Sequence, residues 1–135
     1  MIQSVDHVAI AVRSIEERRD YYEQVLGAHF EGIEEFPDQK VRVAFYQVGA
    51  VQLELLEATS PDSLVASFLQ HRGEGLHHIA FGVEDLRQRI VELRQQGVRL
   101  VDEQPRPGAH GTEMVFLHPA ATGGVLTELC APRRR

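Results

Sequence analysis

Two stretches of the chain carry the same alternation of large apolar residues with small or polar ones. His7–Ile15 aligns without gaps on His78–Leu86, and both follow the pattern H-x-A-x-x-V-x-[S/D]-[I/L]. Such alternation predicts a β-strand, because successive strand side chains point to opposite faces of a sheet. The recurrence of the pattern indicates an internal duplication.

Each copy then runs into a segment with helical start and stop signals. Ser14 and Asp85 are typical N-cap residues, each has Glu or Gln three positions later, and both segments end at glycine. These are the signals of a capping box and of a left-handed C-terminal residue. The sequence therefore predicts one helix per copy, over Ser14–Gly27 and Asp85–Gly97.

Further strand-like runs complete each copy. Val41–Val48 and Val51–Leu56 follow the first helix, and Thr112–His118 and Val125–Cys130 follow the second. A strand, a helix and about three strands then make a βαβββ unit, written twice. Neither unit would bury its sheet alone, so we predict one α+β domain over residues 1–135. In it the duplicated units form one cupped, partly closed mixed sheet with helices outside.

A segment with turn and helix signals joins the two repeats. Thr59–Ser63 is typical of a turn, and Ser63–His71 of a short connecting helix. The predicted organisation is a first repeat over about 1–58, a connecting helix over about 60–72 and a second repeat over about 75–132.

Four polar side chains fall at corresponding points of the two repeats. His7 and His78 begin the repeated strand, and Glu54 and Glu128 interrupt later apolar strands, 47 and 50 residues further on. Alternation places all four on the face beside small residues, opposite the bulky rows. Buried carboxylates are rare unless they are paired or bind a metal. Two imidazoles and two carboxylates suit a divalent transition metal ion with open positions, without distinguishing cobalt, nickel, manganese, iron or zinc.

The other histidines are weaker candidates for metal ligands. His77 competes with His78, but the alignment of Asp6-His7 on His77-His78 favours His78. Four others lack a counterpart in the other repeat and are interpreted as surface or loop residues: His29, His71, His110 and His118. His110 lies in a segment rich in glycine and proline that is long enough to be a lid.

Composition excludes several classes of protein. The 135 residues are 43% hydrophobic and 25% charged, as expected of one soluble globular domain. The formal charge is −6 with scattered basic residues, which gives no footprint for nucleic acid. No apolar stretch approaches the roughly 20 residues that span a membrane. Cys130, the only cysteine, is interpreted as a core thiol, and we expect a cytoplasmic protein.

Over nearly the whole chain, the duplicated unit and its ligands resemble the vicinal oxygen chelate superfamily. Within it, several segments resemble methylmalonyl-CoA epimerases: Pro37–Val43, Gly73–Ala80, Pro107–Gly111, Phe116–Pro119 and Gly123–Leu129. The resemblance implies epimerisation of (R)- and (S)-methylmalonyl-CoA, by proton abstraction and redelivery at C2 through a metal-stabilised enolate. It also implies an acyl-CoA substrate and a homodimer.

By position, the same resemblance implies the site residues. The implied metal ligands are His7, Glu54, His78 and Glu128. Cobalt is the first ion implied, with manganese, nickel, zinc and iron left open. Three basic residues are candidate contacts for the CoA phosphates: Lys40, Arg72 and Arg106.

One position departs from the family pattern. Some bacterial members carry a catalytic glutamate where this chain has Val43, and some have glutamine at the place of Glu54. The hydrocarbon side chain of valine can neither accept nor donate a proton. We therefore predict that Glu54 and Glu128 are the two catalytic bases.

Three other functions fit parts of the pattern. A glyoxalase I-like lyase acting on a glutathione hemithioacetal uses the same two-His, two-Glu set, although His118-Pro119 before Thr122-Gly123-Gly124 favours the epimerase. A ring-cleaving dioxygenase needs two histidines and only one carboxylate. A non-catalytic small-molecule-binding protein of the same fold would need no metal ligands.

The alignment of the repeats makes a prediction about neighbouring histidines. His78→Ala should lose bound metal, as should His7→Ala, Glu54→Ala and Glu128→Ala, whereas His77→Ala should retain it. Metal content is measured on purified variants after dialysis. A His77→Ala protein without metal beside a metal-loaded His78→Ala protein would show that the alignment is wrong.

Overall fold

The first half of the chain folds as a strand, a helix and three further strands. In the computed structural model, which describes residues 2–132, helix α1 continues directly into a π-helical turn. The elements are β1 (Ile2–Ala11), α1 (Ile15–Asp20), the π-helical turn (Tyr21–Val25), β2 (His29–Phe36), β3 (Val41–Val48) and β4 (Val51–Ala58). A 3-10 turn, Pro37–Gln39, joins β2 to β3. The predicted strand Val41–Val48 is confirmed at both ends.

The second half repeats this order after a connecting helix. Its elements are α2 (Leu64–Arg72), β5 (Gly75–Val83), α3 (Leu86–Gln95), β6 (Arg106–Pro107), β7 (Thr112–Leu117), α4 (Pro119–Thr122) and β8 (Thr127–Pro132). The sequence did not predict the short elements β6 and α4. Strand β8 begins two residues later than predicted, because the chain leaves α4 through Gly123 and Gly124, which both have positive φ.

The chain divides into two compact units. One unit is His7–His77, and the other comprises the described residues of Met1–Asp6 and His78–Arg135. Strand order is β2-β3-β4-β1 in the first and β1-β5-β8-β7-β6 in the second, and β1 contributes residues to both.

Both units mix parallel and antiparallel strand pairs. Strand β1 pairs in parallel with β4, and β5 pairs in parallel with β8, while the β2/β3, β3/β4, β6/β7 and β7/β8 pairs are antiparallel. The predicted α+β class, mixed sheet and duplicated order of elements are confirmed. None of the helices in the described part of the chain has the length and apolar composition needed to cross a membrane.

Local hydrogen bonds start the helices where the sequence predicts. The side chains of Ser14, Ser63 and Asp85 accept hydrogen bonds from backbone N–H groups three residues later, at 3.2, 3.0 and 3.2 Å. Each satisfies one of the N–H groups that a helix leaves without a partner in its first turn. The buried N–H of Ile15 is satisfied by Glu57 of β4, whose Oε1 lies 2.8 Å away.

The bulky row of each repeated strand packs under the helices. Val12 is buried with Ile15 of α1, and Ile10 packs against the same cluster. In the other unit, Val83 is buried among Leu86, Ile90 and Leu93 of α3, and Phe81 packs against that cluster. His7 and the small residues Ala9 and Ala11 therefore lie on the opposite strand face from the helix, as predicted.

Tyr46 ties strand β3 to the end of the first helical segment. It is fully buried, and its hydroxyl donates a 2.8 Å hydrogen bond to Oε2 of Glu23. Arg19 donates to the same carboxylate at 2.7 Å and lies over the Phe30 ring. Burial raises the pKa of Tyr46, and the Arg19 hydrogen bond lowers the pKa of Glu23. The phenol therefore donates to an ionised carboxylate at neutral pH.

We expect Tyr46→Phe to lower the free energy of unfolding by about 1 kcal/mol, because the ring stays packed and only the hydroxyl bond is lost. Tyr46→Ala should cost about 3–5 kcal/mol by leaving a cavity. Urea unfolding measures both. Tyr21→Phe, at a half-exposed position, is the matched control and should change little. Equal stability of Tyr46→Phe and the unsubstituted protein would contradict a contribution from this bond.

Candidate active site

The four predicted ligands are buried. Among residues 2–132, only five polar or charged residues are buried: His7, Glu54, Ser63, His78 and Glu128. Ser63 is accounted for as the N-cap of α2. The other four are between 5% and 7% exposed. Such burial requires specific partners, because an ionised carboxylate loses much of its hydration inside a protein.

In the unit His7–His77, parallel pairing of β1 with β4 brings histidine and glutamate together. Ala9 pairs with Glu54, which places Glu54 on the same face as His7, two residues before Ala9. His7 Nδ1 lies 3.5 Å from Glu54 Oε2. On the other side of β4, Phe45 pairs with Glu54 and supplies an apolar neighbour. The methyl group of Ala9 leaves room for the two longer side chains.

The second unit repeats this arrangement on β5, β8 and β7. Ala80 pairs with Glu128 in parallel, and Phe116 pairs with Glu128 from the antiparallel side. His78 Nε2 lies 3.3 Å from Glu128 Oε1. The Phe116 ring meets the His78 ring edge to face, with centroids 5.2 Å apart and planes at 88°. This contact restricts the rotation of the imidazole.

The two phenylalanines were missed by sequence reasoning. Phe45 and Phe116 are separated by 71 residues, the same interval that separates His7 from His78. Extending the repeat alignment beyond the first strand would have found them. Each repeat thus supplies a histidine, a glutamate and a phenylalanine in the same strand register.

His77 lies on the other side of β5 from His78. It is half-buried, and its ring meets Phe68 of α2 edge to face at 5.0 Å. Adjacent strand residues point to opposite faces, so the two neighbouring imidazoles have different surroundings. The choice of His78 as the ligand stays a prediction.

The remaining histidines and the cysteine lie where structural roles were predicted. His29, His71 and His110 are exposed. His118 is half-buried and begins α4, because its Nδ1 accepts a 3.0 Å hydrogen bond from the N–H of Ala120. Cys130 is buried, with Sγ 3.7 Å from the carbonyl oxygen of Phe81.

Each candidate contact for the CoA phosphates has a partner within the chain. Lys40 forms an ion pair with Asp62, which lowers the pKa of Asp62 to about 2. Arg106 donates to Asp102 at 3.2 Å, and the Arg72 guanidinium lies 5.7 Å from the centre of the Phe68 ring. A phosphate would compete with these partners, so their contribution to CoA binding stays a prediction.

Val43 is buried in the middle of β3. It is 4% exposed and pairs with Glu34 on one side and Leu56 on the other. Cross-strand partners share a face, so these residues lie on the face of Glu54, one row along the sheet. The side chain at position 43 is a hydrocarbon and cannot accept or donate a proton.

The donor set fits a divalent transition metal ion. Within each unit, one imidazole and one carboxylate are buried side by side, and both are groups that such ions accept as ligands. The phenylalanine beside each glutamate lowers the local polarity, which strengthens electrostatic interactions at the site.

Comparisons with known proteins agree with this arrangement. The family model described as the Glyoxalase/Bleomycin resistance protein/Dioxygenase superfamily matches residues 6–116. The Bacillus subtilis protein named Uncharacterized protein YqjC is 48% identical over 129 residues, which are 96% of this chain and 92% of that protein. The ethylmalonyl-CoA/methylmalonyl-CoA epimerase of Cereibacter sphaeroides is 37% identical over 131 residues, which are 96% of this chain and 98% of that protein.

A solved structure is similar along its whole length. A Streptomyces coelicolor methylmalonyl-CoA epimerase variant in complex with 2-nitronate-propionyl-CoA has a TM-score of 0.93 and 36% sequence identity. The match covers 99% of this chain and 100% of that one.

Proposed function

Because the chain belongs to the methylmalonyl-CoA epimerase family of the Glyoxalase/Bleomycin resistance protein/Dioxygenase superfamily, we propose that it interconverts (R)- and (S)-methylmalonyl-CoA. The observation that carries the proposal is a pair of buried glutamates, each beside a histidine and in the same register of its repeat. Proton transfer at one carbon from two sides needs two such groups. The names of the relatives narrow the substrate to an acyl-CoA.

A divalent metal ion is part of this proposal, held by His7, Glu54, His78 and Glu128. Support comes from the burial of all four and from His7, His78 and Glu128, each of which offers one ligand atom to such an ion. When bound, the ion supplies a Lewis acid that stabilises negative charge on a carbonyl oxygen. Cobalt is the first ion to test, followed by manganese, nickel, zinc and iron.

Glu54 and Glu128 are the proposed bases. C2 of the substrate lies between a thioester carbonyl and a carboxylate, which makes its proton removable. One glutamate takes this proton, and the electron pair of the broken C–H bond moves onto the thioester carbonyl oxygen. The other glutamate, protonated at the start, delivers its proton to the opposite side of C2 as the electron pair returns to carbon. Reversal from the other epimer restores both protonation states.

The other residues of the site prepare these transfers. His7 and His78 lie 3.5 and 3.3 Å from the carboxylates of their own units and hold them in place. Phe45 and Phe116 exclude water beside the glutamates, which favours return of the proton to carbon. Both tasks depend on side chains already buried by the strands.

Two further properties belong to the proposal, the first through the family and the second through the single cysteine. We propose a homodimer, which sedimentation equilibrium would test. A cytoplasmic location agrees with the single reduced cysteine, Cys130.

The proposed substrate makes a direct prediction. Cobalt-loaded protein should epimerise methylmalonyl-CoA at least about 100-fold faster than it isomerises the glutathione–methylglyoxal hemithioacetal, because a difference of about 3 kcal/mol in transition-state binding is ordinary for a matched site. Chiral analysis of one starting epimer measures the first rate. Chelator-treated protein is the control and should be inactive. Preference for the hemithioacetal would indicate a lyase, and binding of acyl-CoA without turnover would indicate a binding protein.

The two bases should be separable by isotope exchange. Glu54→Gln and Glu128→Gln remove one proton acceptor each, and variants that still hold metal are followed in deuterated water from each epimer. Each should incorporate deuterium into one epimer without inverting it, and the two variants should prefer opposite epimers. Epimerisation at the unsubstituted rate by metal-loaded Glu54→Gln would show that Glu54 is only a ligand.

A further inference from the structure

We propose that Asp102 is a positioning residue for the buried pair His78 and Glu128 and acts through the backbone of Phe116; this inference rests on the proposed function. Phe116 is the residue of β7 that touches this pair. Its ring meets the His78 ring edge to face, and it is the cross-strand partner of Glu128. Whatever fixes the backbone of Phe116 therefore bears on both polar groups.

The backbone of Phe116 faces away from β8. Its carbonyl oxygen accepts a 2.9 Å hydrogen bond from the N–H of Val101, and its N–H donates to Oδ2 of Asp102 at 3.4 Å. The N–H and the carbonyl of one strand residue point to the same edge of the strand, so Phe116 and Glu128 form a non-hydrogen-bonded pair. In such a pair the Cα atoms lie about 4.5 Å apart, and the side chains are closer than in a hydrogen-bonded pair.

The chain beside Phe116 is not a continuous strand. Leu100 forms an isolated bridge with Leu117, and β6 is only two residues long. Between them, residues 101–105 are irregular. A side-chain oxygen of Asp102 therefore accepts the N–H of Phe116 at a point where the strand ladder is interrupted.

The other repeat shows what this carboxylate replaces. Phe45 is the counterpart of Phe116, and it lies opposite Gly32 in the ladder between β2 and β3. That ladder follows β2 over its whole length, with one irregularity between Phe30 and Gly32. In the first repeat a full strand thus lies beside the phenylalanine, whereas in the second repeat a side chain takes over this task.

The carboxylate of Asp102 is itself held in position. Its side chain is 13% exposed, and Oδ1 accepts a 3.2 Å hydrogen bond from Nη1 of Arg106. The carbonyl oxygen of the next residue, Glu103, accepts a hydrogen bond from Arg94 of α3. One oxygen of Asp102 therefore faces an arginine and the other faces the Phe116 N–H. Hydrogen bonds to an ionised carboxylate are stronger than those between neutral groups.

Loss of this carboxylate would remove the acceptor of the Phe116 N–H and let β7 shift locally. Because the side chains of a non-hydrogen-bonded pair lie close together, such a shift moves the Phe116 ring against His78 and changes the space beside Glu128. A misplacement of about 1 Å can cost about 100-fold in rate. The pair on β1 and β4 has its own phenylalanine on β3. The effect should therefore fall on one side of the proposed reaction.

Nuclear magnetic resonance tests the positioning without relying on activity. In the full-length protein without added metal, Asp102→Ala should shift the ring-proton signals of His78, because the ring current of Phe116 falls steeply with distance. His78→Gln identifies these signals by their loss. Should Asp102→Ala not fold, Asp102→Asn, which loses the ion pair but keeps an acceptor oxygen, is read in its place and should give a smaller shift. Unchanged His78 signals in the folded variant would overturn the inference.

Glu113→Ala is the matched control. Glu113 also lies on β7, its side chain is also 13% exposed, and it pairs with Arg87 at 2.8 Å. Its removal deletes an ion pair of the same strand and leaves the carboxylate of Asp102 in place. The His78 signals and kcat should therefore match those of the unsubstituted protein. A shift as large as that of Asp102→Ala would show that any loss on β7 disturbs the pair, and would contradict a specific role of Asp102.

Kinetics then show whether the positioning serves the reaction. In cobalt-loaded protein, Asp102→Ala should lower kcat for methylmalonyl-CoA about tenfold to a hundredfold and change KM by less than about twofold, because alignment is lost while binding is kept. Deuterium incorporation should become one-sided, in the same sense as for Glu128→Gln. Equal slowing from both epimers would indicate a general loss of structure and would overturn the inference.

Failure of the proposed function gives a different result from failure of this role. Unsubstituted protein that does not epimerise methylmalonyl-CoA would refute the proposed function, and the His78 signals would still decide whether Asp102 positions Phe116. An Asp102→Ala enzyme with the unsubstituted kcat would refute the role of Asp102 alone.

Discussion

Two carboxylates are buried beside two imidazoles, and this burial is a strong constraint on the strands that carry them. Removing an ionised group from water costs several kcal/mol, and the cost is offset only where hydrogen-bonding partners or an ion are positioned in advance. Each unit meets this constraint within its own strands, because parallel pairing sets the glutamate of one strand beside the histidine of the other. The cross-strand partners of the two glutamates are alanine and phenylalanine, which are small or apolar.

Duplication solves the positioning problem twice with the same geometry. In both units an alanine is the parallel partner of the glutamate, and a phenylalanine is its antiparallel partner. The proposed reaction transfers protons on two sides of one carbon, and two carboxylates in the same register of their repeats would suit it. The two units differ in the neighbours of these residues. In one unit Phe116 contacts the His78 ring, and in the other Val43 lies between Glu34 and Leu56.

The fold assigns different work to its strands, helices and turns. Helices pack on the bulky face of each repeated strand, and long-range bonds such as Tyr46 to Glu23 and Glu57 to Ile15 hold the first helical segment in position. The opposite face of the strands carries the buried histidines and glutamates. In the Gly108–Thr112 turn, the N–H of Gly108 donates to the carbonyl oxygen of Thr112, and a side chain at Gly108 would clash with Thr112.

Local patterns were enough to predict the duplicated order of elements, the three helix starts and the four buried polar residues. These features follow from alternation, from N-caps that act over three residues and from alignment of the repeats. Other features of the protein depend on its three-dimensional packing. The distance from His78 to Glu128, the Phe116 contact and the left-handed backbone of His110 depend on strand register and on packing between residues far apart in the chain. Register is fixed only when whole strands pair, so a local pattern identifies which residues are buried but not which groups meet.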